Sequence, residues 1–356
     1  VLQNKRRARQ AQAFNETGEF MTIMITGGAG YIGSHICVSL LSRGHSVIIV
    51  DNFANSHRQV VERIAKIAGK KPTLATGDIR DRAFLDNLFA AHKCRAVIHL
   101  AGLKAVGESA LRPLDYYDCN VYGSLCLLQA MQAAGVKKFI FSSTATVYGV
   151  PRYLPYDEKH PLAPENVYGR SKLMVETIMA DLYAADPAWS FGILRYFNPV
   201  GAHESGLIGE DPRGHPDNLM PIIAQVAGGR REKLTIWGND YPTADGTGRR
   251  DYIHVVDLAD GHVAALEHLE KTGLNVYNLG CGKPYSVLEV IHAFEHISNR
   301  PIVYDIGPRR AGDIAEFYAD AAAAKKELGW EARRDLRSMC ADMWNFQVKN
   351  PQGYQS

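Results

Sequence analysis

The sequence predicts an α/β protein: a doubly wound, mostly parallel sheet with a smaller C-terminal domain interleaved with it. Three observations carry this. Buried-strand patterns begin near residues 22, 46, 73, 96, 138 and 191 and alternate with helical patterns. The first strand runs straight into a glycine-rich turn and then a helix. After residue 201 the character changes: 202–219 and 238–250 are rich in Gly, Pro, Asp and Asn, as in long functional loops. Yet segments near 251–262 and 276–280 contain strand-like runs that can return to the first sheet.

The chain has 356 residues, 46% hydrophobic and 22% charged, which is ordinary for a globular protein with ample core. Residues 1–20 are polar and unpatterned and read as a leader or upstream extension, with Met21 as the expected start. They hold Lys5, Arg6, Arg7 and Arg9 against Glu16 and Glu19, so the remainder carries 36 basic and 36 acidic residues. A neutral body argues against a nucleic-acid role. No apolar run reaches the roughly 18 residues of a membrane span, and no secretory signal is visible. Six cysteines at 37, 94, 119, 126, 281 and 340 form neither Cys-x-x-Cys nor a zinc pattern. We read them as reduced thiols in a cytoplasmic protein without a metal.

Thr22 to Thr26 is the first strand, followed by Gly27-Gly28-Ala29-Gly30-Tyr31-Ile32-Gly33 and a helix to about Arg43. Gly27, Gly30 and Gly33 serve a tight turn, close approach of backbone to a pyrophosphate, and close helix–strand packing. The helix N-terminus then faces phosphates. The second strand ends at Asp51, where a carboxylate accepts hydrogen bonds from a ribose diol and repels a 2′-phosphate, favouring NAD over NADP. His57 and Arg58 point the other way, but read equally as a solvated helix start. After the third strand, Asp78 either meets an adenine amine or caps the next helix. The fourth strand ends in Ala101-Gly102-Leu103-Lys104, small enough for backbone to lie against a ribose. Residues 120–134 and 170–184 are two long helical patterns. Every motif sits at a strand's carboxyl end, where doubly wound Rossmann sheets bind ligands.

The fifth strand leads to Thr144 and then to Tyr168-Gly169-Arg170-Ser171-Lys172. Four residues apart on a helix, Tyr168 and Lys172 share a face. A phenol ionises near 10, so acting as a base near neutrality needs a shift of roughly three units, about 4 kcal/mol. A fixed ammonium one turn away and a bound nicotinamide cation both favour the phenolate, and the Thr144 hydroxyl can share the proton. Alone, Tyr-x-x-x-Lys is as easily a surface pair; the dinucleotide signature upstream decides for chemistry.

Several runs are more discriminating than the glycine turn: Ala101 to Ser109, Leu194 to Ala202, Gly238 to Thr243, Asp245 to Gly248 and Arg250 to Val255. On these, the chain from about Met21 to Tyr354 resembles the extended short-chain dehydrogenase/reductase superfamily and, within it, the UDP-glucose 4-epimerases. The resemblance implies an NAD-binding Rossmann domain over 21–195, a UDP-sugar-binding domain over 196–356, and a homodimer through the two long helices. It implies reversible C4 epimerisation of UDP-glucose and UDP-galactose through a 4-keto sugar. It makes Tyr168 the acid/base, Lys172 its tuning cation and Thr144 the third catalytic hydroxyl, where many epimerases have serine. Tyr31, Ile32, Asp51, Asn52, Phe53, Asn55 and Ser56 would line NAD. So would Asp78, Ile79, Leu100, Ala101, Gly102, Lys104, Asn120 and Phe197. Cys119 replaces the first asparagine of the family's usual pair, which puts that contact in doubt. Lys104, Asn198, Asn218, Leu219 and Trp237 would hold the UDP-sugar, together with Arg250, Arg310 and Asp313. The two arginines suit a diphosphate because guanidinium binds phosphate oxygens bidentately. Counting on from Asp313, Phe317 stands at the hexose 2-position, where its ring disfavours N-acetyl sugars. The alternative is an enzyme that accepts the N-acetyl pair. Related dehydratases carry Asp-Glu after the threonine; Ala145-Thr146 here disfavours dehydration.

Overall fold

The computed structural model describes residues 20–354 except 215, 217, 270–272 and 311; the expected leader, apart from Phe20, lies outside them. The strands are β1 (Thr22–Thr26), β2 (Ser46–Asp51), β3 (Thr73–Thr76), β4 (Ala96–His99), β5 (Lys138–Thr144), β6 (Ser190–Tyr196), β7 (Asn198–Val200), β8 (Leu234–Trp237), β9 (Arg249–His254), β10 (Gly273–Leu279), β11 (Pro284–Ser286), β12 (Tyr304–Gly307) and β13 (Glu316–Phe317). Seven form a parallel sheet in the order β10-β6-β5-β4-β1-β2-β3. Its inner strands are buried on both faces, so they alternate between two cores rather than between core and water. In β1, Ile23 and Ile25 join Ile36 and Leu40 of the helix Tyr31–Ser42, while Met24 joins Leu85, Leu127 and Met179 on the other side.

Strand order reverses between β4 and β1, which opens a crevice at their carboxyl ends. The loops after these two strands touch. Gly27 has φ +71°, and a Cβ there would sit 2.8 Å from the Ala101 amide nitrogen.

Both segments expected back on the large sheet are strands, but they part company. β10 pairs with β6 from Gly273↔Ser190 to Leu279↔Tyr196 and completes the sheet. β9 instead joins β7, β11 and β13 in a smaller sheet; only the helix that follows it, Val255–His268, packs back against the helix Tyr31–Ser42. The division has a cause. Asp251 in β9 is fully buried and accepts from the amides of Cys281, Gly282 and Ala319, tying β9 to the segments around it. β8 and β12 form a separate two-stranded ribbon.

The first long helical pattern is less regular than expected. Tyr117–Tyr122 is a π-helical turn, and the α-helix runs Gly123–Ala133. Such wide turns recur at functional sites, and this one sets Asn120 against the backbone of Leu103 in the loop after β4. The second helix is Val167–Ala185. No helix among the described residues is long and apolar enough to cross a membrane.

Candidate active site

A cleft of about 570 Å³ follows the crevice. Its floor is the glycine turn. A Cβ at Gly33 would lie 2.3 Å from the Gly27 carbonyl oxygen, a backbone atom that cannot swing aside. Gly30 starts the helix with no side-chain cap, which leaves the terminal amides to a ligand. Asp51 is more engaged than its expected role requires: it accepts from the Ala29 amide (3.0 Å), the Phe53 amide (2.9 Å) and the Ser56 hydroxyl (2.7 Å). A carboxylate has about four acceptor positions, so one remains for a ribose hydroxyl.

Asp78 does not cap the next helix; Asp81 does, accepting from the Phe84 amide. Asp78 instead accepts from Arg80 and from Asn52, and the Arg80 hydrogen bonds hold its carboxyl far below the usual range. Arg58 is the residue before its helix, with its guanidinium over the Phe53 ring at 4.5 Å.

At the far end the chain assembles its acid/base group from the cap upward. Asn166 accepts from the Gly169 amide at 2.8 Å and fixes the start of the helix Val167–Ala185. Tyr168 and Lys172 then point to the end of β5. The Tyr168 hydroxyl faces that of Thr144, which acts to lower its pKa, the Thr144 hydroxyl itself donates to that of Thr146 at 2.9 Å, and Lys172 Nζ donates to the Ser142 carbonyl at 2.9 Å. Asn120 backs them: its amide pairs with both backbone groups of Leu103 (2.7 and 3.0 Å) and donates to the Ser171 hydroxyl (3.0 Å).

The electrostatics correct one expectation. Lys172 was to draw the phenol's pKa down. For the protein groups alone, burial pushes Tyr168 up to about 12, with Thr144 opposing. Lys172 Nζ lies 6.0 Å from the ring centroid and its hydrogen bond is directed at Ser142 instead. Burial also pushes Lys172 down, to about 8, against Cys119 and Glu176.

A second cavity of about 390 Å³ adjoins the first, and Thr146 and Asn198 line both. Cross-strand register builds its wall: Phe317 lies opposite Arg250 and Asn198 opposite Tyr252. The Phe317 ring packs 5.0 Å from both Tyr156 and Phe197. Arg250 Nη1 donates to the carbonyls of Arg249 and Ile314, and Nη2 meets Asp313 at 3.5 Å.

Most of the residues singled out in sequence therefore line one cavity or the other. Phe53, Asn120, Leu219, Trp237 and Arg310 line neither. Phe53 is buried, with φ +58°. Leu219 opens the helix Leu219–Ala227 directly after Asn218. Arg310 stacks on Trp237 at 5.0 Å. Glu210, unremarked in sequence, is buried in the cleft wall and accepts from Lys104 (2.9 Å) and Asn218 (2.6 Å) through one oxygen. Its only sequence signal is a carboxylate in a loop rich in Gly and Pro.

The NAD dependent epimerase/dehydratase family model matches residues 23–280. A UDP-glucose 4-epimerase from Yersinia pestis is 58% identical over 94% of this chain and 99% of its own length. One from Bacillus subtilis (strain 168) is 56% identical over 94% and 99%. The crystal structure of a UDP-glucose 4-epimerase from Bifidobacterium longum, in complex with NAD+ and UDP, has a TM-score of 0.91, 54% identity, and coverage of 94% of this chain and all of that one.

Proposed function

The chain belongs to the NAD dependent epimerase/dehydratase family and groups there with the UDP-glucose 4-epimerases, and from that premise we propose that it is an isomerase that interconverts UDP-glucose and UDP-galactose at C4, with NAD as its bound cofactor. The observation that carries this is the meeting of Tyr168, Thr144 and Lys172 in the dinucleotide cleft, beside a second cavity that shares Asn198 and Thr146.

The residues present fit NAD. The glycine turn leaves room for a diphosphate where a Cβ would fill the space, the helix N-terminus is uncapped, and Asp51 keeps an acceptor position for a ribose. What NAD supplies when bound is the reversible redox chemistry at the sugar C4. In this reading residues 21–195 bind NAD, and residues 196–356 bind the UDP-sugar while returning β10 to the first sheet.

The protein's part is proton handling and grip. Tyr168 takes the proton from the sugar 4-hydroxyl and later returns one to the opposite face, with Thr144 sharing its hydrogen bond. The phenol must fall from about 12 to near 7, roughly 7 kcal/mol. One unit charge about 4 Å away near a protein surface is worth about 4 kcal/mol. The value of about 12 already holds with Lys172 in place, so Lys172 alone is insufficient, and the positive charge of bound oxidised NAD would supply about three units of the remaining shift. Arg250, Arg310, Asp313, Asn218 and Trp237 hold UDP, and the looser pocket under Phe317 lets the 4-keto sugar turn over.

Two further assignments belong to this reading. Tyr122, at the end of the π-helical turn, and Met174, on the helix Val167–Ala185, are half exposed and suit a homodimer interface. Six free cysteines suit the reducing cytoplasm. The test is turnover of UDP-galactose to UDP-glucose by the purified protein and by Tyr168→Phe. The variant should lose turnover by a factor of about 10³ or more while binding UDP as before; near-normal turnover refutes the assignment.

A further inference from the structure

The ion pair Glu176–Arg195 touches neither cavity and has no part in the chemistry above. Both side chains are 5% exposed. Glu176 Oε2 accepts from Arg195 Nη2 at 2.6 Å and Oε1 from Nε at 3.1 Å. Replacing such a pair by apolar residues of similar volume is often neutral or stabilising, so stability alone does not account for it.

Its placement does. Tyr168, Lys172 and Glu176 follow one another at intervals of four on one face of a helix. Three consecutive residues of β5 each meet one of them: the Ser142 carbonyl meets Lys172, the Ser143 hydroxyl donates to Glu176, and the Thr144 hydroxyl meets Tyr168. Arg195 lies directly opposite Ser143 in the neighbouring strand. Glu176 thus pins the helix to two strands at once. From there Arg195 reaches the Tyr148 hydroxyl at 3.2 Å, and Tyr148 stacks on Tyr156, which supports Phe317. The network runs from beneath the acid/base pair to beneath the hexose wall.

We propose that Glu176 and Arg195 are positioning residues: their pair sets the register of the helix on β5 so that Tyr168 and Lys172 face the reacting carbon. The proposal rests on the reading of Tyr168 and Lys172 as the acid/base group. Burial lowers the Lys172 pKa to about 8, with Cys119 and Glu176 acting against it. The other titratable groups facing Lys172 are His99, which burial and Lys172 itself push down to about 3, and Tyr168, whose ring centroid lies 6.0 Å from Nζ. Glu176 is thus the negative charge that supports the ammonium from its own helix.

The test compares wild type, E176Q, S143A and the apolar double variant E176L/R195M as NAD-loaded enzymes, with Y168F as control. Read-outs are kcat and KM against pH, Tm, and the phenolate absorbance that Y168F lacks. E176Q should lower kcat about tenfold or more, leave KM within about twofold, and move the alkaline limb and the phenolate titration by about one unit each, the limb down and the phenolate up. S143A should move both the same way by less. The double variant should regain Tm without regaining kcat. A double variant that regains both, or S143A and E176Q with wild-type kcat and titration, overturns the proposal. If E176Q does not fold, S143A and the double variant decide. Normal turnover by Y168F overturns the acid/base reading; an inactive Y168F beside unaffected Glu176 variants overturns only this inference.

Discussion

Phe317→Cys should admit N-acetylated UDP-sugars. Phe317 walls a pocket of about 390 Å³, and its ring is held 5.0 Å from Tyr156 and from Phe197. Exchanging phenylalanine for cysteine removes five heavy atoms, whereas an acetamido group adds three over a hydroxyl, so the swap more than clears the space. Two aromatic contacts are lost at about 0.5–1.5 kcal/mol each, a cost of about 1–3 kcal/mol that a domain of this size tolerates with a lower Tm. Relief of a steric misfit of one methylene is worth about 1–3 kcal/mol, or 10–200-fold. We therefore expect kcat/KM for UDP-N-acetylgalactosamine to rise at least about tenfold, while that for UDP-galactose falls by less than about tenfold. The assay is turnover of both sugar pairs by wild type and variant. A wild-type enzyme equally fast on both pairs refutes the steric argument, as does a variant whose Tm falls while its selectivity stays fixed.

Gly33→Ala drives a Cβ to 2.3 Å from the Gly27 carbonyl; the purified variant should retain at least about tenfold less NAD by absorbance, and wild-type retention contradicts the cradle. Because Lys172 loses its proton at about 8 rather than above 10, activity should decline as pH rises through that value, the phenolate then lacking its cation; a profile flat to pH ~10 contradicts this. Met174→Asp, at a half-exposed apolar position of the second long helix, should shift dimer to monomer in sedimentation at micromolar protein, and a wild type already monomeric there removes the homodimer.

Periodicity made the large sheet legible. Strands such as Val47–Val50 are unbroken apolar runs, the mark of burial on both faces. It could not say which sheet β9 joins, because Tyr252-Ile253-His254 fits either and the choice is made by Asp251 and amides some 30 to 70 residues away. The π-turn at Tyr117–Tyr122 has no compositional signature. The Tyr168–Lys172 pair was legible from spacing, but the sign of the phenol's shift was not, since burial is a tertiary property. Asn198, Arg250 and Phe317 meet only through strand register, so the resemblance found them and spacing could not. Glu176 has no sequence signal of its own, because its partner Arg195 comes from β6 and meets it only in the fold.

The mechanism turns on the Tyr168 phenol, which burial holds un-ionised near neutrality in the protein alone and which bound oxidised cofactor would draw towards ionisation. Titration of the Tyr168 phenolate by difference absorbance against Tyr168→Phe, with and without NAD, tests it directly. The expected result is ionisation at about 12 without NAD and about three units lower with NAD bound; the same value in both forms contradicts it.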